Sequence, residues 1–155
     1  MATQTSPFAA PVKLLGVDLT AVDSTQKHEL GLVALDQSGN VYQYVSASTE
    51  AITANSLVSI SSTSVVTLAD AANDRIDGFA PVAISLNSYG WVGIHGDFAN
   101  VPVAADIALN DPFSVLALTA GQASGLPGVY SVTGSAARGV AISAPSGGTA
   151  TLRFF

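Results

Sequence analysis

The chain has 155 residues, 48% of them apolar and only 10% charged, with a net charge of −6. That length supports one domain burying about 70% of its unfolded-chain surface, and the composition excludes disorder, which needs low hydrophobicity and high charge. The five cations, Lys13, Lys27, Arg75, Arg138 and Arg153, are scattered along the chain, which argues against nucleic acid, since phosphate binding needs clustered cations.

Other classes fall away on similar grounds. There is no cysteine, so disulfides, thiolate metal sites and Cys nucleophiles are excluded together. The apolar runs are short and broken by Gly, Ser, Asn or Asp, and none approaches the ~18 residues of a spanning helix, so no membrane partner is expected. Met1-Ala2-Thr3 lacks the basic start and apolar core of a secretory signal and reads as a cytosolic start. A charge-poor, acidic surface rich in Ser, Thr and Ala suits a protein that stays soluble yet packs against other proteins.

In chain order, residues 1–13 form an extended N-terminal arm, because Pro7 and Pro11 forbid a regular helix. Phe8 is a candidate anchor on a partner, with the arm's backbone free to extend a sheet. Residues 14–155 form one β-rich domain. It begins with a strand at Leu14-Leu15-Gly16-Val17-Asp18-Leu19, followed by the polar loop Asp23–His28. Three hairpins then share one pattern: an apolar run, a Ser/Asn/Gly turn and a second apolar run. The first is Val33–Asp36, Gln37–Asn40 and Val41–Val45. The second is Val82–Ser85, Leu86–Gly90 and Trp91–Ile94. The third is Val140–Ser143, Ala144–Gly148 and Thr149–Phe154.

Between the hairpins the pattern is weaker. Thr49-Glu50-Ala51-Ile52 suggests a turn of helix. Leu57–Ile60 and Val65–Leu68 are β-branched runs across a Ser/Thr turn, which predicts a strand pair. Asp70–Gly78 is the best helix candidate, stopped by Gly78. Val101-Pro102-Val103 reads as an edge strand, because Pro102 cannot donate to a ladder. Asn110-Asp111-Pro112 is a turn and Phe113–Leu118 a strand. Thr119–Gly128 is a Gly-rich loop, Val129–Val132 a further strand, and Gly134–Arg138 another loop. The sum is an all-β domain, a sandwich or barrel-like body of short antiparallel strands. Strands do not alternate with long helices, so a doubly wound fold is not expected.

Candidate chemistry is sparse. His95-Gly96-Asp97 follows a strand, and Ser124 lies in Gly121-Gln122-Ala123-Ser124-Gly125, one position away from a nucleophile elbow. With this many serines a near-match arises by chance, and the plainer reading makes Gly96-Asp97 a turn beside a hydrogen-bonded His95. Asp70, Asp74 and Asp77 would share a face of a helix, but Arg75 sits among them, and a solvated face explains them better than a cation site. No phosphate loop, dinucleotide fingerprint or H-E-x-x-H is present, so no cofactor and no catalytic residue are expected. Trp91, in Gly90-Trp91-Val92-Gly93, reads first as a core residue of the central hairpin. As an exposed ring it would be a partner contact or a carbohydrate platform, and the flanking glycines mark a bulge or a close approach of another chain.

The order of several segments then carries a resemblance: Ser38-Gly39-Asn40-Val41-Tyr42-Gln43-Tyr44-Val45, Gly78-Phe79-Ala80-Pro81-Val82-Ala83-Ile84, and Tyr89-Gly90-Trp91-Val92-Gly93-Ile94-His95-Gly96. Leu118-Thr119-Ala120-Gly121, Gly139-Val140-Ala141-Ile142 and the closing Ala150-Thr151-Leu152-Arg153-Phe154 follow. Together they resemble the small head decoration (cement, auxiliary capsid) proteins of tailed bacteriophages. The resemblance implies a non-enzymatic protein, made in the host cytoplasm and bound to the outer surface of the virion capsid, where it bridges neighbouring major capsid protein subunits. It also implies a homo-oligomer, a trimer ahead of a dimer. Pro7, Phe8, Pro11 and Trp91 are the candidate interface residues. The alternative is a tail, fibre or host-surface adhesin module that binds glycans.

Overall fold

The computed structural model describes residues 17–70, 75–105, 107–114, 122 and 137–155. Every regular element among them is a β-strand. These are β1 (Val33–Leu35), β2 (Val41–Ser46), β3 (Ser56–Ile60), β4 (Val66–Leu68), β5 (Gly78–Ala80), β6 (Tyr89–Pro102), β7 (Pro112–Ser114), β8 (Ala137–Ala141) and β9 (Thr149–Phe154). They form one antiparallel sheet in the order β4-β3-β5-β6-β9-β8-β7, with β2 also on β6 and β1 on β2. The sheet curls into a half-barrel, so the fold is all-β.

The 14-residue β6 is the spine. Its first half pairs with β2, from Ser46↔Tyr89 to Val41↔His95, and with β5 through Phe79↔Gly93. Its second half pairs with β9, from Gly96↔Phe154 to Pro102↔Thr149. Two bulges bend it between these partners. One leaves Ile94 as an extra residue opposite the Val41–Tyr42 step of β2. The other lies between Phe98 and Val101, where Asn100 takes a left-handed φ of 60°. Bulges raise local twist and re-aim side chains. The bend returns the Phe98 ring over Gly93, where a Cβ would lie 2.3 Å from the ring. The close approach that the glycines around Trp91 suggested is therefore made by the chain's own aromatic.

Alternation along the strands fills both faces of the first half of the sheet. One face carries Leu57, Phe79, Tyr44 and Trp91, continuous through Tyr42 with the large core of Phe98, Phe113, Leu152 and Phe154. The other carries Val45, Val58, Ala80 and Val92, covered by Ala47, Ile52 and Ile84 from the connecting segments.

Two of the three expected hairpins form as read. In β1–β2 the Asp36 carboxylate accepts the N–H groups of Ser38 (2.8 Å) and Asn40 (2.9 Å), and Gly39 supplies a φ of 85°. In β8–β9, Gly147 and Gly148 have φ of 61° and 79°, the signs a type I′ turn requires. The β3–β4 pair also forms, as does the turn before β7, where Asp111 N–H donates to the Ala108 carbonyl at 3.1 Å.

Six expectations are corrected. The second hairpin takes Gly78–Ala80 as its first arm, since Pro81 ends that strand; within Val82–Ser85, Ile84 instead makes an isolated bridge to Ile52. That bridge draws Ile52, 2% exposed, into the core, and Thr49–Ile52 forms no helical turn. Of Leu14–Leu19, residues 14–16 lie outside the described residues, and Leu19-Thr20 is a turn. There the Asp18 carboxylate takes the Thr20 N–H (2.9 Å) and hydroxyl (2.6 Å), a local bond that competes with a ladder. Of Asp70–Gly78, residues 71–74 lie outside. Arg75–Gly78 is not helical: Ile76 is buried and Asp77 N–H donates to the Val58 carbonyl at 2.8 Å, which lays the chain along β3. Gly96-Asp97 is no turn, and Val101-Pro102 is no separate strand; all four belong to β6, with Gly96 at φ 116° as a kink. Residues 115–118, the loop at 119–128 apart from Gln122, the strand at 129–132 and residues 134–136 lie outside the described residues.

Candidate functional site

Two of the recesses on this sheet are built around ionised groups drawn out of water. The first is built over Trp91. The register Tyr44↔Trp91 places both rings on one face, with centroids 5.0 Å apart. Segment 17–32 folds over them through Val17, Leu19, Leu30 and Leu32. His28 stands edge-on to Tyr44 at 5.0 Å and lies 5.4 Å from Trp91. The Tyr44 hydroxyl donates to Asp23 Oδ2 at 3.0 Å and accepts the Lys27 N–H at 3.3 Å. Asp23 is 5% exposed, with the Lys27 ammonium 2.5 Å from Oδ1. The bond to Lys27 holds its carboxyl below the usual carboxylate range, against the opposing effect of burial. Burial pushes the Tyr44 phenol up. A recess of about 320 Å³ opens beside this cluster, lined by Val17, Asp18, Ala21, Asp23, Lys27, His28 and Trp91.

Trp91 is therefore a core residue, 2% exposed. The exposed reading of it is corrected: a ring that stacks on a sugar or anchors a partner needs an open face, and this one is packed against Tyr44 and His28. The other candidate contacts, Pro7, Phe8 and Pro11, lie outside the described residues.

The second recess is built around Arg138, which the sequence reading passed over. In the pairing of β7 with β8, Phe113 faces Gly139 and Ser114 faces Ala137, so Arg138 is the extra residue of a bulge. Its side chain crosses the curl of the sheet. Nη2 donates to the carbonyls of Asp77 (2.6 Å) and Ile94 (2.9 Å), and Nη1 donates to the main-chain oxygen of Phe155, the last residue of the chain. Ile94 is itself the extra residue of a β6 bulge, so each bulge presents one half of this bond. The guanidinium lies 5.9 Å from the centre of the Phe154 ring, a cation–π contact. Desolvation lowers its pKa, opposed by Asp77 and reinforced by Arg75. Nε is buried and has no hydrogen-bond partner among the described residues. A recess of about 220 Å³ here is lined by Gln43, Ile60, Ser61, Arg75, Asp77, Ile94 and Arg138. One signal could have found this site: a lone cation in the small-residue run Ala137-Arg138-Gly139-Val140-Ala141.

The remaining candidates do not assemble. His95 is exposed on β6, and Asp97 is turned to Arg153, whose Nε and Nη2 lie 2.7 and 2.8 Å from its two carboxylate oxygens. That bond draws the Asp97 carboxyl low. Ser124 and Asp74 lie outside the described residues. Asp77 is held by Arg75 at 2.5 Å. Among the described residues no three His, Cys, Asp or Glu side chains gather as a metal site.

No family model matches the chain, and no curated protein is detectably similar to it. The class its fold defines is an all-β half-barrel body. Among solved structures, that body is similar to the N base of head fiber gp8.5 of bacteriophage phi29, with a TM-score of 0.51 and 18% identity over 75% of this chain and 94% of that one. At this identity the likeness is one of fold.

Proposed function

We propose that this chain is a structural virion protein of a bacteriophage head, bound to the outer surface of the capsid. In this reading it stabilises the shell by bridging neighbouring major capsid subunits and catalyses nothing. The observation that carries the reading is the fold shared with a phage head-fiber base over nearly that whole chain. The rigid β body and thiol-free composition accord with it. Each contact can be weak, since seating one side of a bridge raises the effective concentration of the other. Self-association, as a trimer ahead of a dimer, would multiply that effect. The arm at residues 1–13 would add an extended contact to the shell. Trp91 does not support the glycan-binding alternative, because its ring is 2% exposed.

The test adds purified protein to mature heads that lack it, followed by sedimentation and imaging of the particles. Saturable binding at repeated sites on the outer shell is expected, with heads that survive more heat than bare ones. A chain lacking residues 1–13 should keep its melting temperature and bind about tenfold more weakly. Protein that stays in the supernatant at all concentrations overturns the assignment. Unchanged binding by the shortened chain removes the arm from it.

A further inference from the structure

An open sheet has borders, and an unpaired border is a template for another strand. Among the described residues the border strands are β4, β7 and β1. Two of them are blunted. On β4 the outward Leu68 N–H donates to the Glu50 carboxylate at 2.8 Å, and Val65 bridges to Ser46, whose N–H donates to the Ser64 carbonyl at 3.0 Å. β7 opens with Pro112, which has no N–H to offer.

β1 has neither device. Tyr44 N–H donates to the Leu32 carbonyl at 2.8 Å and Asp36 N–H to the Asn40 carbonyl at 3.0 Å, so Leu32, Ala34 and Asp36 turn their backbone groups to β2. Val33 and Leu35 alternate with them and turn theirs outward, where no backbone group among the described residues meets them. The run Leu30–Leu35 holds no charge and no proline. This border, two residues long, suits a short, extended, uncharged strand.

The sequence itself contains such a segment. In an extended strand, backbone groups alternate between the two sides. In Pro7-Phe8-Ala9-Ala10-Pro11 the prolines and Ala9 fall on one side, Phe8 and Ala10 on the other. The second side keeps both of its donors, whereas the first keeps only that of Ala9. Such a strand can join a border and then resists being joined. Set antiparallel, with Phe8 opposite Leu35 and Ala10 opposite Val33, it answers the N–H and C=O of both border residues. Opposite residues share a face, so the Phe8 ring covers the half-buried Leu35. Charge agrees with the match. Lys13 is the only charged side chain of residues 1–13; with it set aside, four cations stand against eleven carboxylates, and two of these, Glu29 and Asp36, flank the Leu30–Leu35 run.

We propose that the border of β1 receives residues 7–11 from the arm of a neighbouring copy as an added strand. The tether favours a neighbour over the same chain. Val17 lines the recess over Trp91 beside His28. Stepping back from that point along an antiparallel strand sets Val12 against Val33 and carries Phe8 past Leu35 to Gln37, in the exposed turn. A neighbour's arm has no such restraint. Each copy gives one arm and takes one, a head-to-tail contact of the kind that closes into rings. The inference rests on the self-association in the proposed function, gives it a surface and leaves residues 1–6 for the shell.

The test exploits the absence of cysteine. Chains carrying Ala10→Cys are mixed with chains carrying Val33→Cys and oxidised mildly; Ser38→Cys replaces Val33→Cys in the control mixture. A covalent dimer of the two variants is expected from the first mixture, at least about tenfold more than from the control. Equal yields, or no mixed dimer, overturn the proposal. So does ring closure within single chains carrying both substitutions while the separate variants form no mixed dimer, which would assign the border to the chain's own arm. Sedimentation of the free chain gives a second reading. Removing residues 1–13, or Val33→Pro, which deletes an outward donor and no bond to β2, should weaken self-association at least about tenfold. A shortened chain that associates like the parent overturns the proposal, as does a parent that sediments as a monomer throughout. Head binding is scored separately: a chain that associates through its arm yet stays off heads keeps this contact and loses the capsid reading.

Discussion

Asp23 and Arg138 are both ionised groups drawn out of water, and their surroundings differ in kind. Asp23 has an ammonium on one oxygen and a phenol on the other, so its charge is balanced within a single cluster. Arg138 is spread over the main-chain oxygens of Asp77, Ile94 and Phe155 and an aromatic face. The first arrangement is closed: its work is to pin segment 17–32 over Tyr44 and Trp91. The second is a tie: it holds β8 to β6, to the segment before β5 and to the residue after β9. One ion fastens a covering segment to the sheet, whereas the other fastens separate strands of the sheet to one another.

The first cluster rests on Trp91. Replacing Trp91 by Ala removes the floor on which His28 and Tyr44 rest and should cost about 3–5 kcal/mol in urea unfolding. A loss under about 1 kcal/mol would mean that the indole is not a core group. Next in size is Arg138→Met, which keeps the aliphatic stem but deprives the Asp77 and Ile94 carbonyls of their donor. A loss of about 2–3 kcal/mol is expected, and a stability equal to the parent would show that the cross-sheet bonds contribute nothing. The smallest effect belongs to Asp23→Asn, about 1 kcal/mol at neutral pH, because Lys27 is 64% exposed and water screens the pair.

The same Asp23 variant has a pH signature. Because the folded carboxyl titrates below its unfolded value of about 3.9, its stabilisation is complete above that value and disappears as pH falls through the folded one. Asp97 behaves in the same sense. Acid unfolding of Asp23→Asn should therefore be shallower than that of the parent and still present. Identical acid limbs would mean that Asp23 is not ionised in the fold.

The legible parts of this molecule were those whose cause is local. The β1–β2 turn is written in Asp36, Gly39 and Asn40, and the β8–β9 turn in Gly147-Gly148, because turn chemistry acts over four residues. Burial of Trp91 followed from its size. Pairing was less legible. Val82–Ser85 has the same apolar pattern as Val140–Ser143, yet only the latter contributes to a strand with its expected partner. Periodicity reports which residues leave water, not which neighbour they meet. Gly96 looked like a stop when it is a bend, since glycine serves both, and so one long strand was read as two. Arg138 was invisible for the deepest reason. Its position depends on a bulge, and a bulge is a property of two strands in register rather than of either sequence alone.

The length of β6 has one more consequence. Tyr89–His95 holds the ladders of one half and Gly96–Pro102 those of the other, on a single uninterrupted stretch of backbone. Neither half possesses a boundary strand of its own at the join. Genetic exchange between related chains could therefore not trade one half for a foreign one with a crossover inside this stretch unless both bulges arrived in phase. Inheritance of the body is in effect all or nothing.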